Sequence, residues 1–406
     1  MLRSLATALV LSVLVAQCIE SKSGNHVAMM IQSHFLQHGV RLPTRAFKEA
    51  VKNAAINVSH LSHRPSSLVI LAMANEEALL RTVPIFLRSL RGVNVSSGTD
   101  AGKTFDGRLV MVAWSRDALV MCRELQAEYS HHCVRDAEHA AGKNSLGFHT
   151  DGFNALGFAK IKYILNGLSA GHDVMFLDAD IIMLRDPLPY FYDHGADIYA
   201  MMEKCLLFND TVSIAAFEYV RHQKLTPPLN IGALFFKATP GVTRCVYNWI
   251  WDMYGQVAFR PHVWDQDIFG VLMPKCSYKF DLRLQVLDPR LFQSACYPRC
   301  GCMYHDANVT SATLGMSAAG VPPVTGHLCD PGLWGSWLLR HFPCSGTTDQ
   351  KAWHMRQFAE GLVHGQPVHI TKHWAIEKKQ GKGDLEGQEE VAEDDAGMSS
   401  AENVRL

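Results

Sequence analysis

The chain lacks an excess of charge of either sign: 38 Lys and Arg stand against 39 Asp and Glu, a net charge of −1. No basic cluster breaks that balance, so the electrostatic footprint of a nucleic-acid-binding surface is missing and no nucleic-acid partner is expected. The apolar run near the N-terminus, Leu5 to Ala16, is interrupted by Thr7 and Ser12 and falls short of the ~20 residues that span a bilayer. The cysteine cluster Cys296, Cys300 and Cys302 lacks the paired C-x2-C spacing of a structural zinc site. No internal repeat is visible, which sets solenoids and propellers aside.

What is present describes a globular chain. Of 406 residues, 48% are apolar and 19% charged, enough for a sizeable core in one large domain or two ordinary ones. Residues 1–18 read as a signal peptide, with Arg3 as the positive end, an apolar middle and Ala16-Gln17-Cys18 as a small-x-small cleavage site. The alternative is an uncleaved signal anchor, the one route to a membrane association. Ten cysteines beyond Cys18 suit an oxidising lumen where disulfides form. Sequons at Asn57, Asn94, Asn209 and Asn308 fit the same compartment. The expected location is the secretory pathway, in the Golgi lumen, with secretion as an alternative.

One stretch organises the rest: Asp173 to Phe191, DVMFLDADIIMLRDPLPYF. Val174 to Leu177 has the apolar run of a buried strand. Asp178 and Asp180 follow, two residues apart; in extended backbone they share a face and can converge on one divalent cation. Asp186 precedes Pro187 and reads as part of a turn. A strand that carries paired carboxylates at its C-terminal end is how an open α/β sheet builds a ligand crevice. The bare Asp-x-Asp pattern is common, and a second occurs at Asp265-Gln266-Asp267; the strand before the first and the turn after it make it informative.

Around this stretch strands and helices alternate. Strands are expected at Leu68–Ala74, Leu109–Trp114, His132–Arg135, Ala196–Met202, Leu229–Ala238 and Arg283–Leu287. Helices are expected at Pro43–Ala55, Glu76–Arg91, Asp117–Tyr129, Phe153–Ser169, Pro240–Tyr254, Trp264–Leu272 and Trp353–Leu362. Residues 296–346, rich in Cys, Gly and Pro, read as loops. The alternation predicts an α/β fold with a mostly parallel central sheet and helices on both faces. The domain plan is a leader (1–18), a stem (19–65), a main domain (66–376) and an acidic disordered tail (377–406).

The segment Lys160 to Phe191, with G-x-D-V-M-F-L-D-A-D-I-I-M-L-R-D-P at its centre, resembles the nucleotide-diphospho-sugar transferase family. Its members include plant extensin arabinosyltransferases and pectic xylosyltransferases. Asn230-Ile231-Gly232 and Asp265-Gln266 recur in the family in the same order, and the likeness runs from about Leu68 to about His373. It implies a GT-A (Rossmann-like) domain, a nucleotide-sugar donor (a UDP-sugar), a glycan or glycoprotein acceptor, a divalent cation, usually manganese, and retention of anomeric configuration. In that chemistry charge builds on the leaving diphosphate, and a cation held by carboxylates stabilises it.

The resemblance assigns roles by residue. Asp178 and Asp180 sit at the diphosphate, Asp180 as the direct metal ligand. His369 is the candidate third ligand and His373 the next. Lys160 pairs with phosphate or with a catalytic carboxylate. Asn230 contacts sugar or acceptor hydroxyls, and Gly232 admits close approach of a ligand. Asp265 binds the sugar, or is the nucleophile if retention is covalent; Gln266 lies beside it, and both also suit the start of a helix. Asn75 is a candidate nucleoside contact. Resembling sequences often carry an acid just after the second strand; here Ser115, Arg116 and Asp117 stand there, which leaves the base open. Two other classes are weighed: a catalytically silent binding protein on the same fold, and a haloacid-dehalogenase-like phosphatase, which also places Asp-x-Asp after a buried strand but near the start of its domain.

Overall fold

The computed structural model describes residues 43–62, 64–136, 151–202, 229–257, 264–295, 336–343 and 345–364. The expected leader, the acidic tail, His369 and His373, the sequons at Asn209 and Asn308 and the cluster Cys296–Cys302 lie outside them.

In chain order the elements are α1 (Arg45–Ala54), β1 (Ile56–Asn57), α2 (Ser59–Ser62), β2 (Ser67–Ala74), α3 (Glu76–Arg81), α4 (Val83–Arg91), β3 (Leu109–Ala113), α5 (Arg116–Leu125), β4 (His132–Arg135), α6 (Asp151–Ser169) and β5 (Asp173–Leu177). Then follow β6 (Ile181–Met183), α7 (Leu188–Asp193), β7 (Ile198–Met202), β8 (Leu229–Phe236), α8 (Pro240–Val257), α9 (Asp265–Lys279), β9 (Leu284–Val286), β10 (Phe292–Ser294), β11 (Leu339–His341) and α10 (Thr348–His364).

The main sheet runs β4-β3-β2-β5-β8-β7-β9, with the short β1 added to β2. The β4-β3-β2-β5 half is parallel, whereas β8 is antiparallel to both β5 and β7. A second sheet of β10, β11 and β6 stands beside it, with β11 antiparallel to β6. The strands read as unbroken apolar runs because both faces are covered. Along β2, Leu68, Ile70 and Ala72 enter one core with Phe86, Leu87 and Leu90 of α4. Val69 and Leu71 enter the other with Val51 of α1, Ile164 and Leu165 of α6 and Trp249 of α8. This wound α/β architecture is the expected one.

β5 is fixed at its start. Asp173 is fully buried and accepts hydrogen bonds from Ser66 Oγ (2.8 Å), Tyr192 Oη (2.8 Å) and the Ala238 amide (2.6 Å). The paired carboxylates at the other end of the strand therefore hang from an anchored element.

Several boundaries differ from expectation, three of them for physical reasons. The helix expected over Glu76–Arg91 divides at Thr82, because Pro84 stands in the first turn of α4 and has no N–H to continue α3. α9 runs on to Lys279 through Pro274, held by burial of Met273 and Cys276 and by the Cys245–Cys276 disulfide to α8. The loop expected over residues 296–346 contains a strand, β11, whose register places His341 opposite Ile181. A second disulfide joins Cys122 on α5 to Cys133 on β4. Asn57 and Asn94 of the sequons are exposed.

Candidate active site

The chain leaves β5 at Leu177 and turns through Asp178, Ala179 and Asp180 into β6. This short connection ties the two sheets together. The Asp178 amide donates to the Gly232 carbonyl on β8 at 2.7 Å, and the Phe342 amide beside β11 donates to the Asp180 carbonyl at 3.0 Å. The two carboxylates meet through this turn, not through the extended backbone inferred from their spacing. Ligand atoms of Asp178, Asp180 and His341 all lie within 4.8 Å of one another.

His341 is the residue missed by sequence reading. Its ring is buried, with Nε2 3.1 Å from Asp180 Oδ1 and 3.8 Å from Asp178 Oδ2. It fits because β8 carries glycine at 232: a Cβ there would lie 2.0 Å from His341 Cε1. Gly232 was expected to admit a ligand; what approaches it is this imidazole. Asp180 Oδ1 and His341 Nδ1 are both buried without a hydrogen-bond partner, although His341 Nε2 is close to the former. A buried carboxylate oxygen faced by an imidazole whose other nitrogen also lacks a partner among the described residues is incompletely satisfied, and a bound cation would complete it. Two carboxylates and an imidazole form a donor set suited to manganese or a similar divalent ion, so these residues fit a metal.

Each carboxylate also carries its own lysine. Lys160 Nζ lies 2.9 Å from Asp178 Oδ1, and Lys351 Nζ lies 2.7 Å from Asp180 Oδ2. Burial pulls both ammonium groups toward neutrality, but the aspartates outweigh it and raise both pKa values. Burial opposes ionisation of Asp180 as well, yet Lys351 and His341 overcome it and hold the carboxyl far below the usual range. Lys351, also missed, is placed by a capping box at the start of α10. The Thr347 amide donates to Gln350 Oε1 at 2.8 Å, and the Gln350 amide donates to Thr347 Oγ1 at 3.4 Å. Thr347-Thr348-Asp349-Gln350 was the available signal; the helix was expected to begin only at Trp353.

The remaining candidates gather on the same cavity, about 470 Å³ in volume, whose lining includes Asn75, Lys160, Asp178, Asp180, Asn230, Trp264, Asp265, Gln266, His341 and Lys351. Asp265 is 4% exposed at the start of α9, its carbonyl accepting from Trp249 Nε1 at 2.9 Å. Its carboxylate packs on α6 where Gly157 leaves room, since a Cβ at 157 would lie 2.9 Å from Asp265 Cγ. One turn on, Lys160 shares that face of α6. Burial raises the pKa of Asp265, with Lys160 opposing and Asp178 adding to the rise. Gln266 Oε1 accepts from the Ile231 amide at 3.3 Å, and Asn230 Oδ1 from the Gly232 amide at 2.9 Å, so both brace β8 at the cavity edge. Asn75 caps α3, accepting from the Ala78 amide at 2.9 Å. Asp186 is a turn residue, as expected: Oδ1 accepts from the Leu188 amide at 2.8 Å and Oδ2 from the Ser96 amide at 2.7 Å.

A family model described as nucleotide-diphospho-sugar transferase matches residues 105–313, just over half of the 406-residue chain. The chain belongs to that family. The matched residues include the Asp178 and Asp180 turn and Asp265. Comparison with curated proteins gives no match. Among solved structures the family member is similar to mouse xyloside xylosyltransferase 1 in its apo form, at 14% identity and a TM-score of 0.35 over 68% of this chain and 98% of that one. It is also similar to an active-site mutant of LgtC, at 13% identity and a TM-score of 0.41 over 75% of this chain and 98% of that one. These likenesses are too low to carry an argument about substrate.

Proposed function

We propose that this transferase moves a sugar from a UDP-sugar to a glycan or glycoprotein acceptor, with retention of anomeric configuration and with a divalent cation, manganese, at Asp178, Asp180 and His341. The observation that carries the reading is the convergence of these three groups at the end of β5, with Asp180 Oδ1 buried and faced by His341 Nε2 at 3.1 Å, in the floor of a cavity of about 470 Å³. The bound cation would supply neutralisation of charge on the leaving diphosphate.

The chain's own residues have distinct tasks in this reading. Asp180 and His341 hold the ion, and Asp178 shares it while keeping Lys160 beside the diphosphate. Lys160, itself buried, balances negative charge where a fixed, desolvated cation is worth more than in solution. Asp265 faces the sugar. Its raised pKa reflects a poorly solvated carboxylate, which suits interaction with positive charge developing at the anomeric carbon. Gln266 and Asn230 keep the rim of β8 in place and offer amides to sugar hydroxyls, and Asn75 stands toward the nucleoside. His369 remains the ligand implied by the family for the segment beyond α10. The two disulfides support an oxidising compartment such as the Golgi lumen. Among the described residues no helix is long and apolar enough to cross a membrane.

The test is donor hydrolysis and transfer over a panel of nucleotide sugars, with Mn²⁺ or with chelator. Turnover of one donor that disappears with chelator and with Asp180→Ala is the expected result. Donor binding without turnover of any donor would support the silent binding protein instead. The phosphatase reading has lost its footing with the family match.

A further inference from the structure

The two lysines that cap the carboxylate pair are not equivalent. Lys160 is fixed: it is 8% exposed, donates to the Ile231 carbonyl at 3.4 Å and lies 4.9 Å from the centre of the Phe176 ring as well as against Asp178. Lys351 reaches the site from the first turn of α10 with its side chain 26% exposed, and the hydrogen bond it makes is to Asp180 Oδ2 at 2.7 Å. A flexible four-carbon stem with an open side can exchange its partner; one wedged between an aromatic ring and a carbonyl cannot do so as readily.

We propose that Lys351 is a built-in counter-ion that occupies Asp180 until a divalent cation displaces it, and then turns its ammonium group to pair with the nucleoside diphosphate that binds with that cation. This rests on the metal-dependent reading of the site given above. The geometry points to it in two ways. An ammonium group 2.7 Å from Asp180 Oδ2 and a divalent ion on the same carboxylate would be like charges at close range in a poorly solvated cavity, so one weakens the other. Lys351 also lines the same cavity as Asp178, Lys160 and Asp265. An ammonium displaced from Asp180 therefore stays within the volume where a diphosphate would sit, and the anion brings compensating charge for it. Metal and nucleotide then bind with positive coupling, because each removes what opposes the other.

The test uses the full chain and Mn²⁺ alone as the probe, with free Mn²⁺ read by electron paramagnetic resonance. Lys351→Met should bind Mn²⁺ about tenfold more tightly than the wild type without nucleotide, a usual size for coupling between two ligands. Lys351→Arg, which keeps the positive charge, should stay near the wild-type value. After correction for Mn²⁺ held by UDP in solution, adding UDP should tighten Mn²⁺ binding in both proteins, but about tenfold more in the wild type than in Lys351→Met, where there is no ammonium group to displace. A measurement on the wild type avoids any folding defect: Mn²⁺ should speed labelling of Lys351 by an amine-reactive reagent, followed by mass spectrometry, and UDP should then slow it. Equal or weaker Mn²⁺ affinity in folded Lys351→Met, or labelling unmoved by Mn²⁺, overturns the proposal while leaving the metal-dependent reading intact if wild-type turnover still needs Mn²⁺. Absence of Mn²⁺ binding by the wild type overturns both.

Discussion

A Cβ added to Gly232 would lie 2.0 Å from Cε1 of His341. The glycine on β8 and the imidazole on β11 therefore occupy a space that holds only one side chain. The next nearest atoms, Nδ1 and Nε2, lie at 2.5 Å, so the whole ring would have to move. Gly232→Ala should displace His341 from Asp180. The expected result is about a hundredfold loss of turnover, the scale of a 1 Å misplacement in an active site. Stability should fall by about 1–3 kcal/mol from overpacking. Wild-type turnover together with a wild-type melting temperature would show that the imidazole is not held as described.

Asp265 ties activity to a stability cost that depends on pH. Burial raises its pKa above 3.8, with Lys160 opposing and Asp178 reinforcing the rise. The folded state thus holds the charged form less favourably than the unfolded chain does. The cost is present at neutral pH and fades as pH falls through the raised value toward 3.8. Asp265→Asn should raise the melting temperature at pH 7 and lose that advantage in acid, while turnover falls. A gain that persists unchanged in acid would separate the effect from titration of Asp265.

Arg340 lies on β11 beside His341 and is 1% exposed. Among the described residues its Nε, Nη1 and Nη2 have no hydrogen-bond partner. The guanidinium instead rests among the rings of Phe358 (5.2 Å), Trp337 (5.4 Å) and Phe342 (5.5 Å), and burial pulls its pKa down to about 10. Ring contacts recover part of the lost hydration, about 2 kcal/mol or more where desolvated, but a buried charge without hydrogen bonds generally costs more. Arg340→Met, similar in length and apolar, should raise the midpoint of thermal unfolding. A lower midpoint would mean that the aromatic enclosure outweighs desolvation.

The Cys245–Cys276 bridge joins α8 to α9 across a sequence separation of 31. Trp249 on α8 also bonds the carbonyl of Asp265 on α9, so the bridged pair of helices carries the acid proposed to face the sugar. Loop-closure entropy for this span corresponds to about 3–4 kcal/mol. Urea unfolding of the Cys245→Ala/Cys276→Ala double variant should show a loss of that order, with a weaker effect on turnover. An unchanged urea midpoint would deny the bridge this role.

Much of the sheet was legible because β2, β5 and β8 are apolar on both faces, and such runs stand out without any partner being known. Asp178, Asp180, Asp265 and Gln266 were legible as candidates for a different reason: they lie at a strand end or a helix start, where the wound architecture collects its ligands, whereas Lys160, in the middle of α6, was legible only through the family resemblance. His341 and Lys351 were not. A strand of three residues such as β11 has too few positions to show a period, and its Cys-, Gly- and Pro-rich surroundings suggested loops. Its place beside β6 is a matter of register, which appears only when the sheets pair. Lys351 was recoverable in principle from the capping box that begins α10. The division of α3 from α4 was recoverable as well, from Pro84.

Lys351 and Asp180 are 171 positions apart in the chain. The order of synthesis therefore separates the scaffold from its chemistry. β2, β3 and β5 can pair while the later segments are still to be made, but the carboxylates at the end of β5 then have neither His341 nor Lys351 to face. Pairings this distant close late and slowly. A chain halted before β11 would retain much of the parallel half of the sheet and leave Asp180 unbalanced at the end of β5, while Asp178 keeps Lys160. Docking of β11 and α10 brings both missing partners to Asp180 in one late event.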